Sequence, residues 1–104
     1  MAEITDRESL SVSINLSVTT PQLEFIRQCV AESGMTAKEY ISMVVLGLKK
    51  VKLPDHLTAN LNSKKDDFLR FRMRADIQKV VRERAKSKNQ AVNKYIWLKL
   101  MGLD

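Results

Sequence analysis

The chain has 104 residues, of which 44% are hydrophobic and 29% are charged. This balance excludes global disorder and gives room for one compact domain. The 18 Lys and Arg outnumber the 12 Asp and Glu to give a net charge of +6, and residues 64–104 alone hold twelve basic and five acidic side chains. A basic half of this kind favours an anionic partner, most often nucleic acid.

Several classes of function have no support in the sequence. It contains no run of about 18 apolar residues and no signal peptide, so we expect a cytoplasmic, nucleoid-associated protein with no membrane partner. Cys29 is the only cysteine and His56 the only histidine, and no Gly-rich phosphate loop or nucleophile elbow occurs. We therefore expect no catalytic residue, no metal site and no cofactor.

The first elements of the chain are an arm and a strand. Residues 1–10 show little periodicity and are predicted to form a flexible N-terminal arm. Residues 11–18 alternate strictly, with Ser13, Asn15 and Ser17 on the face opposite three apolar side chains. This period of two predicts a half-buried β-strand with a polar outer face.

Two helices are predicted to follow the first strand. Thr19 to Pro21 is a typical helix start, and Gly34 is a typical left-handed end. Thr36 and Glu39 have the spacing of a capping box. The apolar residues from Tyr40 to Leu48 lie on nearly every side of the second helix, so we expect that helix to be buried.

A linker is predicted at residues 49–67, where Leu53, Leu57 and Leu61 are spaced for a short helical turn. Residues 68–74 then alternate again, with Arg70, Arg72 and Arg74 facing away from three apolar side chains. A half-buried strand with a cationic outer face is therefore predicted, followed by one helix to about Asn89 and an apolar helix that stops at Gly102.

The two halves of the chain repeat each other. Setting Gly34 on Asn89 gives an offset of 55 residues. The same offset aligns three further pairs, Ile14 with Leu69, Leu16 with Phe71 and Thr36 with Ala91. One offset thus aligns the strand, the turn and the second helix, which indicates an internal duplication.

The element order, the alternating strands and the Gly-x-Thr or Asn-x-Ala turn before an apolar helix resemble the ribbon-helix-helix family of DNA-binding proteins. The second copy, from Phe71 to Asn93, is most similar to the phage Arc and Mnt repressors. It departs from them at Arg74, where they carry proline, and at Ala91, where they carry a helix-capping serine. The first copy is more similar to the CopG branch.

This resemblance implies a mostly α fold with a two-stranded antiparallel β-ribbon that enters the major groove of DNA. Family members normally build the ribbon from two chains, but this chain carries both halves. We therefore expect a tandem ribbon-helix-helix protein that forms an intramolecular pseudo-dimer, with the arm at 1–10, the first copy at 11–48, the linker at 49–67 and the second copy at 68–104. The alternative, in which two chains pair like copy with like copy, stays open.

The resemblance assigns DNA base contacts to the outward strand residues, namely Ser13, Asn15 and Ser17 from the first strand and Phe68, Arg70 and Arg72 from the second. Arginine binds guanine O6 and N7 bidentately, and asparagine suits adenine. The alternative is that these are merely solvated strand positions, but solubility explains two neighbouring outward arginines poorly. Phe68 is predicted either to touch a thymine methyl group or to pack against the linker.

Phosphate contacts are predicted at the starts of the two second helices, because free N–H groups at helix N-termini bind phosphate. They are Thr36, Ala37 and Lys38 in the first copy, and Ala91, Val92, Asn93 and Lys94 in the second. A solvated, weakly attractive basic flank is predicted for Lys79, Arg82, Arg84, Lys86 and Lys88.

The aromatic residues of the apolar helices, Tyr40, Tyr95 and Trp97, have helical spacing and are interpreted as core residues rather than a base-stacking platform. Trp97, Leu98 and Met101 leave more apolar surface than one helix pair needs. A side-by-side contact between copies of the chain on adjacent DNA sites is therefore a further prediction.

The leading hypothesis is a sequence-specific regulator of transcription, acting as a repressor, that binds double-stranded DNA through an asymmetric ribbon. One alternative is an antitoxin or other protein-interaction module with a toxin partner, which co-purification with a neighbouring gene's product would support. Another is a conjugation or architectural accessory protein, which would bind DNA with little sequence preference.

Overall fold

The computed structural model describes residues 11–59 and 61–103, so the predicted arm at residues 1–10 lies outside the described residues. The described residues form five helices and a two-stranded antiparallel sheet. In chain order the elements are β1 (Ser11–Val18), α1 (Thr20–Ser33), α2 (Ala37–Val45), α3 (Asp55–Thr58), β2 (Asp67–Arg74), α4 (Ala75–Ser87) and α5 (Val92–Leu100). The expected combination of a β-ribbon with several helices is confirmed.

The elements recur at a nearly constant spacing along the chain. An offset of 55 residues carries α1 onto residues 75–88, which is within one residue of α4, and carries α2 onto the bounds of α5. The same offset carries β1 onto residues 66–73, one residue before β2. Each half therefore has the order strand, helix, helix, and α3 lies in the segment between the halves.

The ribbon forms because both strands alternate apolar and polar side chains. Its inner face is buried and consists of Ile14, Leu16, Val18, Leu69, Phe71 and Met73. A slip of one residue in the pairing would turn one of these apolar sets toward solvent, so the pattern specifies the register. The first predicted strand has the observed bounds, and the second begins one residue earlier than predicted.

The helix ends follow the predicted signals. The Thr19 hydroxyl accepts a hydrogen bond from the N–H of Gln22, and the Thr36 hydroxyl accepts one from the N–H of Glu39. Gly34 and Asn89 have positive φ angles of 73° and 55° and end the first helix of each half. These caps confirm the predicted helix boundaries at both turns.

The hydrophobic core contains side chains from both halves. Ile41 and Ile96, which are equivalent at the offset of 55, are both fully buried. The aromatic residues Tyr40, Tyr95 and Trp97 are buried as well, so their interpretation as core residues is confirmed. Burial in this core also raises the pKa of the Tyr40 phenol.

Two details of the predicted apolar helices are wrong. The helix α2 ends at Val45 and the chain turns at Gly47, where φ is 80°, so Leu48 is 68% exposed instead of buried. The apolar surface predicted around Trp97 is also largely covered, because Met101 is fully buried and Trp97 is only 7% exposed. A contact between copies on adjacent DNA sites stays a prediction, but it loses this surface as its basis.

The segment between the halves is packed against both of them. It contains the predicted helical turn, as α3, and Leu57 of this turn is buried. The carbonyl oxygen of Leu61 accepts a hydrogen bond from the side-chain amide of Gln22, with 3.4 Å between the nitrogen and the oxygen. Near the other end of the segment, the carbonyl oxygen of Val51 lies so close to Gly102 that a Cβ there would collide with it.

Candidate nucleic-acid interface

The outer side of the ribbon carries the six predicted base-contacting residues. We call this surface the ribbon face and define it by Ser13, Asn15, Ser17, Phe68, Arg70 and Arg72. All six are exposed. Asn15 stands opposite Arg70 in the register, and the flanking pairs are Ser13 with Arg72 and Ser17 with Phe68. The structure therefore brings all six side chains together on one surface.

The three arginines of β2 differ in whether their guanidinium groups already have a hydrogen-bond or ion-pair partner. Arg74 forms a bidentate ion pair with Asp76, with a closest N–O distance of 2.7 Å. One guanidinium nitrogen of Arg72 donates to the carbonyl oxygen of Ser11 at 3.2 Å, which leaves its charge uncompensated. The guanidinium of Arg70 makes no hydrogen bond or ion pair within residues 11–59 and 61–103. Arg70 is therefore the most available cation at the centre of the ribbon face.

Phe68 is an aromatic residue on a polar surface. Its side chain is 50% exposed and lies outside the hydrophobic core. Its backbone N–H donates to the Asp67 carboxylate at 2.8 Å. The predicted packing against the linker would have buried the ring, so this exposure favours the other prediction, in which the ring is available for an apolar contact with a ligand.

The start of α2 already has an anionic group of its own. A carboxylate oxygen of Glu39 accepts hydrogen bonds from the backbone N–H and the hydroxyl of Thr36, at 3.2 and 3.0 Å. This capping box uses the N–H of Thr36 and places a negative charge in the first turn. Of the predicted phosphate-contacting residues here, Ala37 and Lys38 are exposed beside this carboxylate.

The start of α5 has neither a side-chain cap nor an acidic residue in its first turn. Its cap residue, Ala91, has no side chain that can accept a hydrogen bond, and the first turn contains no acidic residue. Lys94 occupies the position that corresponds to Glu39 at the offset of 55. The side-chain amide of Asn93 donates to the carbonyl oxygen of Asn15 at 3.2 Å, which fixes this helix start against β1. The N-terminus of α5 is therefore the more electropositive of the two predicted phosphate sites.

The predicted basic flank lies along α4. Lys79, Arg82 and Lys86 line an open groove that also reaches Ala91 and Val92 at the start of α5. Arg84 is engaged elsewhere, since its guanidinium donates to the carbonyl oxygen of Leu46 at 3.0 Å. The flank therefore adds positive charge along the groove that borders the start of α5.

Lys65 was not singled out by sequence analysis. Its ammonium nitrogen lies 4.6 Å from the centre of the Trp97 ring, and that of Lys94 lies 5.7 Å from it. Both lysines line one cleft with Ser17 of the ribbon face. The only signal in the sequence is the basic pair Lys64 and Lys65 shortly before β2, and nothing local links that pair to Trp97.

No protein-family model, curated protein or solved structure matches this chain in comparisons with known proteins. Over the described ranges, no group of three or more His, Cys, Asp or Glu side chains is placed to hold a metal ion. The helices in the same ranges are too short or too polar to span a membrane.

Proposed function

We propose that this protein is a sequence-specific DNA-binding regulator, acting as a transcriptional repressor, that inserts its ribbon face into the major groove. The observation that carries the proposal is the exposed guanidinium of Arg70, which has no partner among the described residues and lies opposite Asn15 at the centre of the ribbon. The major groove admits a two-stranded β-ribbon, and arginine and asparagine are the side chains that bind guanine and adenine bidentately.

The charge on the ribbon face supports this choice of ligand. Its two arginines are accompanied by hydroxyl, amide and aromatic side chains and by no carboxylate. Asp76, the carboxylate closest in sequence to Arg74, is already paired with it. A surface with donors, acceptors and uncompensated positive charge is suited to base edges beside a phosphate backbone.

The proposed architecture is a tandem ribbon-helix-helix protein whose two halves form a pseudo-dimer within one chain. Asn15 and Arg70 are equivalent at the offset of 55, and they also stand opposite each other in the ribbon. When an approximate two-fold axis relates two equivalent strands, the two residues that face each other at the axis must be equivalent, as Asn15 and Arg70 are. The pairing of β1 with β2 inside one chain is the arrangement that a pseudo-dimer requires.

The two strands present different side chains, so the DNA site should be asymmetric. Ser13, Asn15 and Ser17 correspond at the offset of 55 to Phe68, Arg70 and Arg72. A homodimer reads the same bases from each strand, whereas this ribbon offers hydroxyl and amide groups on one side and guanidinium and aromatic groups on the other. The sequence bound by one chain is therefore not a palindrome.

Selection of bound sites from random double-stranded DNA by the full chain tests the proposal. We expect enrichment of a short motif without two-fold symmetry, bound by one chain. A perfect palindrome at the footprint of one chain would refute the asymmetric pseudo-dimer. Failure to enrich any motif, together with equal binding to DNA from upstream of the protein's own gene and to random DNA, would refute sequence-specific regulation.

A further inference from the structure

The indole of Trp97 holds two lysine side chains at one edge of the ribbon. The ammonium nitrogens of Lys65 and Lys94 lie 4.6 and 5.7 Å from the ring centre, which is within the range of a cation–π interaction. The ring itself is fixed, because it is only 7% exposed and its N–H donates to the side-chain oxygen of Gln22 at 3.2 Å. Trp97 thus positions two flexible cations that come from different parts of the chain.

No carboxylate lines the cleft in which these two positive charges lie. Neither lysine forms an ion pair with a residue in the described ranges. The adjacent carboxylate of Asp66 accepts hydrogen bonds from the N–H and hydroxyl of Thr20, at 3.1 and 3.5 Å, and Asp67 accepts one from the N–H of Phe68. Two like charges over one ring repel each other, so an anion bound beside them lowers their electrostatic free energy.

The position of the two lysines indicates which anion they bind. They line one open cleft together with Asn62, Asn93 and Ser17, and Ser17 belongs to the ribbon face. Asn93 also bonds to the backbone of β1 at Asn15, so the cleft lies along the outer edge of this strand. When a ribbon enters the major groove, the sugar–phosphate backbones pass along its edges. A phosphodiester is therefore the anion that this cleft meets.

We propose that Lys65 and Lys94, positioned by Trp97, form a phosphate clamp that binds the DNA backbone at one edge of the ribbon only. This inference depends on the proposed function and adds Lys65 to its binding residues. The opposite half has no equivalent clamp, because the offset of 55 places Glu39 at the position of Lys94 and Ser42 at that of Trp97. The clamp therefore fixes the direction in which the chain lies on an asymmetric site.

The test compares Lys65→Gln with Lys64→Gln, which removes the same charge from the neighbouring exposed residue. The affinity of each full-length variant for the selected DNA site is measured at several salt concentrations. Loss of one phosphate contact should make the negative slope of log K against log[salt] shallower by about 0.9, and should lower the affinity at 0.1 M salt by roughly eightfold. We expect this change for Lys65→Gln, and a much smaller one for Lys64→Gln.

Fluorescence provides a second readout, since Trp97 is the only tryptophan of the chain. Addition of DNA should change its emission in the wild type, and this change should be reduced in Lys65→Gln. The clamp is overturned if Lys65→Gln and Lys64→Gln have the same salt slope. In that case a wild-type protein that still prefers its selected site over scrambled DNA leaves the proposed function intact, whereas equal binding to both DNAs refutes that function instead.

Discussion

The indole N–H of Trp97 and the N–H of Thr19 both donate to the side-chain oxygen of Gln22, at 3.2 and 3.0 Å. The side-chain amide nitrogen of Gln22 donates to the backbone carbonyl of Leu61, so one buried glutamine connects the first helix, the linker and the last helix. Polar groups of three segments depend on this one side chain.

Replacement of Gln22 by leucine should therefore destabilise the protein. Leucine has about the same side-chain volume as glutamine, but it leaves two N–H groups and one carbonyl without a hydrogen-bond partner. Each of these groups that stays buried from water should cost about 1–3 kcal/mol of unfolding free energy. Urea denaturation followed by Trp97 fluorescence measures the change. Gln28→Leu on the exposed side of the same helix is the control, and equal stability of the two variants would contradict this role of Gln22.

Gly47 and Gly102 follow the second helix of each half and both have positive φ, of 80° and 70°. Alanine in this left-handed conformation costs roughly 1–2 kcal/mol. A Cβ at Gly47 meets open space, whereas one at Gly102 meets the Val51 carbonyl. We expect Gly102→Ala to lower the unfolding free energy clearly more than Gly47→Ala, as measured by urea denaturation. Equal losses would mean that the linker does not pack against Gly102 in solution.

Glu39 supplies the negative charge at the start of α2, beside the predicted phosphate contacts Ala37 and Lys38. Glu39→Gln keeps an acceptor for the Thr36 N–H, as in the equivalent box of Thr19 and Gln22, but removes the charge. We expect DNA binding to become roughly threefold to tenfold tighter at low salt, an effect that screening reduces as salt is added. Fluorescence anisotropy of labelled DNA measures the affinity.

The control for this change is Glu32→Gln, which removes a carboxylate near the end of α1 that is hydrogen-bonded to Gln28. A similar gain in affinity for both variants would mean that only the net charge of the protein matters. Weaker DNA binding by Glu39→Gln would contradict the placement of a phosphate at the start of α2.

Local patterns in the sequence predicted most of the fold. The alternation of residues 11–18 predicted the first strand with its observed bounds. A strand with one buried face must place every second residue on that face, so the pattern allows only one arrangement. The caps at Thr19, Thr36 and Gly34 predicted the helix ends, since each satisfies backbone groups within a few residues of itself.

The features that sequence analysis missed depend on contacts between distant residues. The three bonds of Gln22 reach Thr19, Leu61 and Trp97, and only the first lies within one turn of chain. The position of Lys65 over Trp97 likewise depends on the path of the linker. The exposure of Leu48 was missed because hydrophobicity alone does not reveal that α2 ends at Val45.

The most direct test of the proposed function compares Arg70→Ala with Arg74→Ala, which change two exposed positions of the same strand. Arg70 is unpaired among the described residues, whereas Arg74 is already paired with Asp76. The affinity of each variant for the selected site and for a scrambled site is measured at one fixed salt concentration. The ratio of the two affinities reports sequence reading separately from phosphate binding.

We predict that Arg70→Ala lowers this ratio by about fivefold to 150-fold, which corresponds to the loss of one bidentate base contact worth about 1–3 kcal/mol. Arg74→Ala should leave the ratio close to that of the wild type. If Arg70→Ala weakens binding to both DNAs equally and keeps the ratio unchanged, the ribbon face senses only phosphate charge and does not read bases.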